Sequence, residues 1–202
     1  MPGLRKIEGY TAEVINICPQ DTEGEVVEIS ELYIQLPKVP AKKDILFHDK
    51  KKEDQMWRRI DVPSELLRVR SMDEWAEKPK EFRQKHSKYI EIEFQRRRNG
   101  VWFMNNGIPT YITGRQYMLL QWSKMDIGYP SYLKFQGNLF IHFAACEYDP
   151  RSLGQVFTKC RRSGYTNISA SILADEGTQV KEKLLGIQSK TGKDAQENIF
   201  MK

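Results

Sequence analysis

Residues 154–166 constrain the fold more than any other stretch of the chain. A β-rich run, Gly154-Gln155-Val156-Phe157-Thr158, passes into the cationic turn Lys159-Cys160-Arg161-Arg162-Ser163-Gly164-Tyr165-Thr166, and from Asn167 to about Gly177 the pattern is helical. Leu184-Leu185-Gly186-Ile187-Gln188 then reads as a second strand, and Thr191 onward, with Asp194, Ala195, Ile199 and Phe200, as a helix start. Strand, loop, helix, strand, helix is the order of a parallel α/β sheet, because successive parallel strands need a crossover between them.

Upstream the chain reads differently. Residues 1–100 hold 20 Lys and Arg against 19 Asp and Glu, whereas residues 101–202 hold 12 against 8 and carry 14 of the 22 aromatic residues. The main core is therefore expected after residue 100, with the first half wrapping it or extending from it. In residues 1–40, Glu25–Ile29 and Leu32–Leu36 are β-like, and Pro37, Pro40 and the basic stretch Lys42–Lys52 read as a linker or exposed loop. Ser71-Met72-Asp73-Glu74 has capping-box spacing and opens a short helix that Pro79 interrupts. A longer helix runs to about Arg98, with Phe82, His86, Tyr89, Ile90 and Phe94 on one face, and Asn99-Gly100 stops it. Val101–Met104 and Ile108–Ile112 flank Asn105-Asn106-Gly107, a hairpin signal in which Pro109 keeps its strand at an edge. Thr113 caps a helix from Gly114 to about Lys124, and Tyr132, Phe135, Gln136, Leu139, Phe140 and Phe143 predict another that ends before Asp149-Pro150. The expected organisation is an extension over 1–70, partly irregular, a helical lead-in with a hairpin over 71–150, and the start of an α/β core over 151–202.

Several classes are disfavoured. The net charge of +5 is mild and 40% of residues are hydrophobic, so the chain is neither a histone-like tail nor globally disordered. No apolar run approaches the roughly eighteen residues of a membrane span. The start, Met1 to Lys6, has no apolar stretch behind it, which argues against a signal peptide. Cys18, Cys146 and Cys160 are odd in number and far apart, which argues against a disulfide framework or a zinc site.

The turn at 159–166 carries the chemistry. The usual phosphate loop is Gly-x-x-x-x-Gly-Lys followed by Ser or Thr, between strand and helix. Superimposed on it, Gly164 falls on the second glycine and Thr166 on the hydroxyl position, while Lys159 takes the place of the first glycine and Tyr165 that of the lysine. Amides at the turn and the positive end of the following helix attract phosphate, Gly164 permits close backbone approach, and Thr166 is suited to ligate Mg²⁺. Lys159, Arg161 and Arg162 are the candidates for the displaced cation. A basic surface loop with no ligand is the plain alternative.

This arrangement resembles the large terminase subunits of tailed bacteriophages, whose deviant phosphate loop carries its lysine at the front. The blocks Tyr89–Gly100, Trp102-Phe103, Asn106-Gly107, Thr110–Gly114 and Gly186–Thr191 with Asp194-Ala195 are similar to those of terminases from large Bacteroides-type phages, so the resemblance spans about residues 55–202. It implies the N-terminal portion of a P-loop ATPase that drives double-stranded DNA into procapsids. It further implies ATP and Mg²⁺ as cofactors, and the portal protein and small terminase subunit as partners. A ring of copies, no membrane association and the host cytoplasm are implied too. Lys159, Arg161 and Arg162 take the catalytic, phosphate-facing roles; Arg162, Ser163, Gly164, Tyr165 and Thr166 complete the nucleotide cradle, and Thr166 holds the metal with ATP. The family grips adenine with an upstream glutamine. Thr113–Gln121 occupies the matching place, with Gln116 the first choice and Gln121 the second, since an amide offers both a donor and an acceptor to adenine.

Two expected parts are missing. A P-loop motor needs a strand ending in Asp for Mg²⁺ and a Glu that activates water. Ile172-Leu173-Ala174-Asp175-Glu176 imitates this but begins too soon after Thr166, so it is read as part of the following helix. The acidic nuclease segment of the family has no counterpart either. The chain is thus expected to be a front part that binds nucleotide without turning it over alone. Two other readings stay open: a non-catalytic nucleic-acid-binding module using the basic loop and aromatics, and a piece of another P-loop enzyme such as a helicase. Arg96-Arg97-Arg98, Arg58-Arg59 and Lys50–Lys52 are read as solvated cations rather than DNA contacts. His86 is read as packed, and the four tryptophans as core or interface.

Overall fold

The computed structural model describes residues 39–69, 71–125, 128–148 and 164–179, the single positions Ser152, Gly154, Gln155 and Leu185, and the backbone of four short N-terminal strands. Those strands form two antiparallel pairs: β1 (Leu4–Ile7) with β2 (Tyr10–Glu13), and β3 (Val26–Ile29) with β4 (Leu32–Gln35). The second pair coincides with the two β-like runs in the sequence, whereas the first pair has too few apolar alternations to announce itself.

Helix α1 (Met72–Glu77) starts where Ser71 accepts a hydrogen bond from the Glu74 amide at 3.1 Å. Pro79 then takes the N-cap of α2 (Lys80–Asn99), and Gly100, at φ +71°, ends it. Gly100 is required there twice over. Its φ lies in the left-handed region, and a Cβ would lie 2.2 Å from the Ile112 carbonyl. The inward stripe of α2 differs from the apolar one expected: Phe94 is 45% exposed, and the buried position of that turn is Glu93. Its carboxylate survives burial because Tyr117 Oη (2.7 Å) and Trp122 Nε1 (2.7 Å) donate to it.

Strands β5 (Val101–Asn105) and β6 (Ile108–Ile112) pair antiparallel around Asn106 and Gly107, both at positive φ, as a type I′ turn requires. The hairpin is covered on both faces. Val101, Phe103 and Ile112 join Tyr117 and Leu120 on one side, and Trp102 and Tyr111 meet Ile141 on the other. Among the described residues β6 is paired on one side only, as Pro109 leads one to expect. β5 is central, because the Leu46 amide donates to the Trp102 carbonyl (2.9 Å) and the Met104 amide to the Leu46 carbonyl (2.8 Å), a parallel bridge. The stretch read as an exposed linker is therefore corrected. Its lysines do face solvent, but Ile45, Leu46 and Phe47 pack against the hairpin.

Three more helices complete the layer. Thr113 caps α3 (Gly114–Trp122) by accepting from the Gln116 amide. α3 is buried on nearly every side and starts so close to the end of α2 that a Cβ on Gly114 would lie 1.9 Å from the Arg97 carbonyl oxygen. α4 is Lys134–Tyr148 and α5 is Tyr165–Gln179. The inward residues of α5, Ile168, Ser171 and Asp175, recur at helical spacing.

The architecture is thus α/β overall, helices around a two-stranded antiparallel hairpin. The strands described pair antiparallel, with the Leu46 bridge as the one parallel contact among the described residues. Of the strands expected after residue 150, Gly154 and Gln155 have no strand conformation, while 156–158 and most of 184–188 lie outside the described residues.

Candidate functional site

Gly164 is the described end of the cationic turn. Its φ of +75° is a left-handed conformation, and its carbonyl accepts from the amides of Asn167 (3.0 Å) and Ile168 (3.2 Å), so it caps α5. Tyr165 and Thr166 form the first turn of that helix and are half-buried. The helix thus begins two residues earlier than the sequence pattern suggests, which places the Thr166 hydroxyl on a helix N-terminus, where the dipole is positive. Lys159, Arg161, Arg162 and Ser163 lie outside the described residues.

The structure separates the two glutamines of α3. Both are fully buried. Gln121 is committed to the backbone: its Oε1 accepts from the Ile60 amide (2.8 Å) and its Nε2 donates to the Ile60 carbonyl (2.8 Å). Gln121 therefore pins the 57–60 segment, and its amide is not available to a base. Gln116 is the opposite case. Among the described residues neither its Oε1 nor its Nε2 has a hydrogen-bond partner. A buried amide without partners costs about 1–3 kcal/mol, so it needs a reason.

Its neighbours supply one. A Cβ placed on Gly137 would lie 3.5 Å from both amide atoms of Gln116 and 3.4 Å from the Tyr132 hydroxyl, so glycine there leaves room beside the amide. The adjacent residue on α4, Gln136, is buried, and its Oε1 also lacks a partner among the described residues. Its Nε2 faces Gly164 closely enough that a Cβ there would come within 3.2 Å. Gln116, Gln136 and Gly164 are thereby gathered along one seam between α3, α4 and the start of α5. In the sequence Gln136 enters only as part of a helical pattern; the signal that marks it is a glutamine among apolar residues on an inward stripe. The donor set fits a nucleotide: amides for a base edge, and a glycine-led helix start for phosphate. Among the described residues no group of three or more His, Cys, Asp or Glu side chains is arranged to hold a metal ion.

The remaining candidates are engaged by other side chains of the fold. Asp175, on α5 as expected, is fully buried and paired with Arg97 (2.6 Å) and Arg115 (3.3 Å). Arg97 is therefore not a solvated cation, and Arg96 lies 3.4 Å from Glu93, while Arg98 is exposed. His86 is buried, with Nε2 2.8 Å from Glu65, whose carboxyl the Lys85 hydrogen bond, and then that of His86, holds below the usual carboxylate value. Trp57, Trp102 and Trp122 belong to the core clusters, as read. No described helix is long and apolar enough to cross a membrane.

No family model, no curated protein and no solved structure matches the chain.

Proposed function

We propose that this chain is the nucleotide-binding front part of a DNA-packaging motor of the large-terminase type. The observation that supports the reading is the fully buried Gln116 amide, without a hydrogen-bond partner among the described residues and set across α4 from the glycine that opens α5. An amide in that position matches the donor and acceptor edge of adenine, and Gln136 offers a second acceptor beside it. Gly164 and the first amides of α5 would hold phosphate, with Lys159, Arg161 and Arg162 as counter-charges and Thr166 toward Mg²⁺. The P-loop parallel sheet, the motor's ATPase activity, the ring, the portal, the small subunit, double-stranded DNA and the host cytoplasm all belong to this proposal. Gln116 is covered in this state, so the α3–α4 seam must open for a base to enter.

The test is titration with a fluorescent ATP analogue in the presence and absence of Mg²⁺. Saturable, Mg²⁺-dependent binding that Gly164→Asp abolishes is the expected result. Salt-steep DNA binding indifferent to Gly164→Asp, with no nucleotide binding, would overturn the proposal in favour of a nucleic-acid module.

A further inference from the structure

α5 leads away from the candidate phosphate turn, and its far half ends in a buried ion cluster. Asp175 is fully buried, and its carboxylate is saturated by donors from other residues. Oδ1 accepts from Arg97 Nε (3.0 Å) and Nη2 (2.6 Å), and Oδ2 from Arg115 Nη1 (3.3 Å) and Gln179 Nε2 (2.8 Å). Arg97 Nη2 also donates to Thr178 Oγ1 at 2.5 Å. Arg115 reaches Glu147 through Nε (2.9 Å) and Nη2 (2.7 Å), and Nη2 also pairs with Glu176. The cluster therefore ties α2, α3, α4 and α5 together at one point.

For stability alone this is a poor choice. Asp175 continues the inward stripe of Ile168 and Ser171, where an apolar residue would pack with no desolvation cost. What a guanidinium fork adds is direction: it accepts one orientation of the carboxylate, whereas apolar surfaces slide. The geometry lets that direction matter at the seam. Arg115 and Gln116 are adjacent on α3 yet reach opposite ends of α4, Arg115 to Glu147 near its end and Gln116 to Gly137 near its start. Gly164 lies about 16 Å along α5 from Asp175, at about 1.5 Å per residue. Between them Ser171 Oγ meets the hydroxyl of Ser123, the residue that follows α3, at 3.1 Å. A change in the angle of α5 at the cluster would carry Gly164, at the other end of the same helix, relative to Gln116 and Gln136.

We propose that Asp175 is a positioning residue: clamped by Arg97 and Arg115, it sets the spacing between the glutamine pair and Gly164 at the start of α5, and through it the affinity for a nucleoside triphosphate. The inference rests on the nucleotide-binding reading above.

Two variants test it, Asp175→Asn and the apolar triple Arg97→Met/Arg115→Met/Asp175→Leu, with the fluorescent ATP analogue and Mg²⁺ as probe. Near-UV circular dichroism and the thermal midpoint report the fold. The triple variant removes the charges of Arg97, Arg115 and Asp175 together but also takes Arg115 from Glu147 and Glu176, so its midpoint serves to certify that the protein compared is folded. A cluster serving stability alone would then leave nucleotide affinity intact. Positioning predicts that both variants bind the analogue about tenfold more weakly or worse while folded. Should the triple variant not fold, Asp175→Asn is combined with Gln116→Leu; positioning requires the cost of losing Gln116 to shrink in the Asp175→Asn background, and additive costs overturn it. Should Asp175→Asn not fold, Arg115→Lys, which keeps the charge and loses the fork, takes its place. Affinity within about threefold of wild type in a folded variant overturns the clamp and leaves nucleotide binding standing. No binding by the wild-type chain overturns both.

Discussion

Replacing Gln116 by Leu separates a ligand-reading amide from an ordinary core residue, because the two give opposite results for stability. The side chain is fully buried, and neither amide atom has a partner among the described residues. Leucine has similar volume and no polar atoms. Removing an unsatisfied buried amide returns its desolvation cost, about 1–3 kcal/mol, less a small loss from imperfect repacking. The variant should therefore be more stable by about 1–2 kcal/mol, which in a domain of this size raises the thermal midpoint by about 2–8 °C. The same change should abolish discrimination between ATP and GTP and weaken the ATP analogue about tenfold or more, since a base edge loses both its donor and its acceptor. Urea unfolding followed by tryptophan fluorescence gives the first quantity, and analogue titration the second. A lowered midpoint in Gln116→Leu would mean that the amide is bonded in the folded chain, and the functional reading would lose its main support.

Other outcomes follow from the packing. Gly114→Ala places a methyl 1.9 Å from the Arg97 carbonyl oxygen, so α2 and α3 must separate; a loss on the order of 3 kcal/mol is expected in chemical denaturation, and a neutral result would show that the crossing is loose. Burial raises the hydroxyls of Tyr111 and Tyr117 above the ordinary value of 10.0, Tyr117 with help from Glu93. The unfolded chain therefore ionises first, and stability present below about pH 10 should fall above it by about 2.7 kcal/mol per pH unit for the pair. Phenolate absorbance should show these two tyrosines titrating only with loss of near-UV ellipticity, and reversible ionisation in the folded chain would contradict their burial.

Local rules made much of this fold legible. Ser71, Pro79, Gly100, Asn106-Gly107 and Thr113 each sit where capping and turn chemistry put them, because those signals act within a few residues. Long-range commitments were not legible. Glu93 and Asp175 are polar residues on inward stripes, and only the distant Tyr117, Trp122, Arg97 and Arg115 make their burial tolerable. The candidate site shows the same division. Gln116 and Gln121 are singled out together only through the family resemblance, and the two look equivalent in sequence because it is Ile60, far away along the chain, that claims the Gln121 amide. Gln136 belongs to the helical stripe that the sequence pattern picks out, but periodicity marks only which face is inward and not that the amide Oε1 lacks a partner among the described residues.

The bridge through Leu46 has a practical consequence for where this protein can be cut. A fragment beginning at the first regular helix would leave behind Leu46, Phe47, Trp57 and Ile60, which together wall one face of the hairpin core. It would also bare the outer margin of β5, whose Trp102 carbonyl and Met104 amide now meet Leu46. An uncovered strand margin flanked by large apolar side chains is a template for pairing with a second chain, so trimming back to the helices should yield aggregates, and the shortest well-behaved piece must start ahead of residue 45.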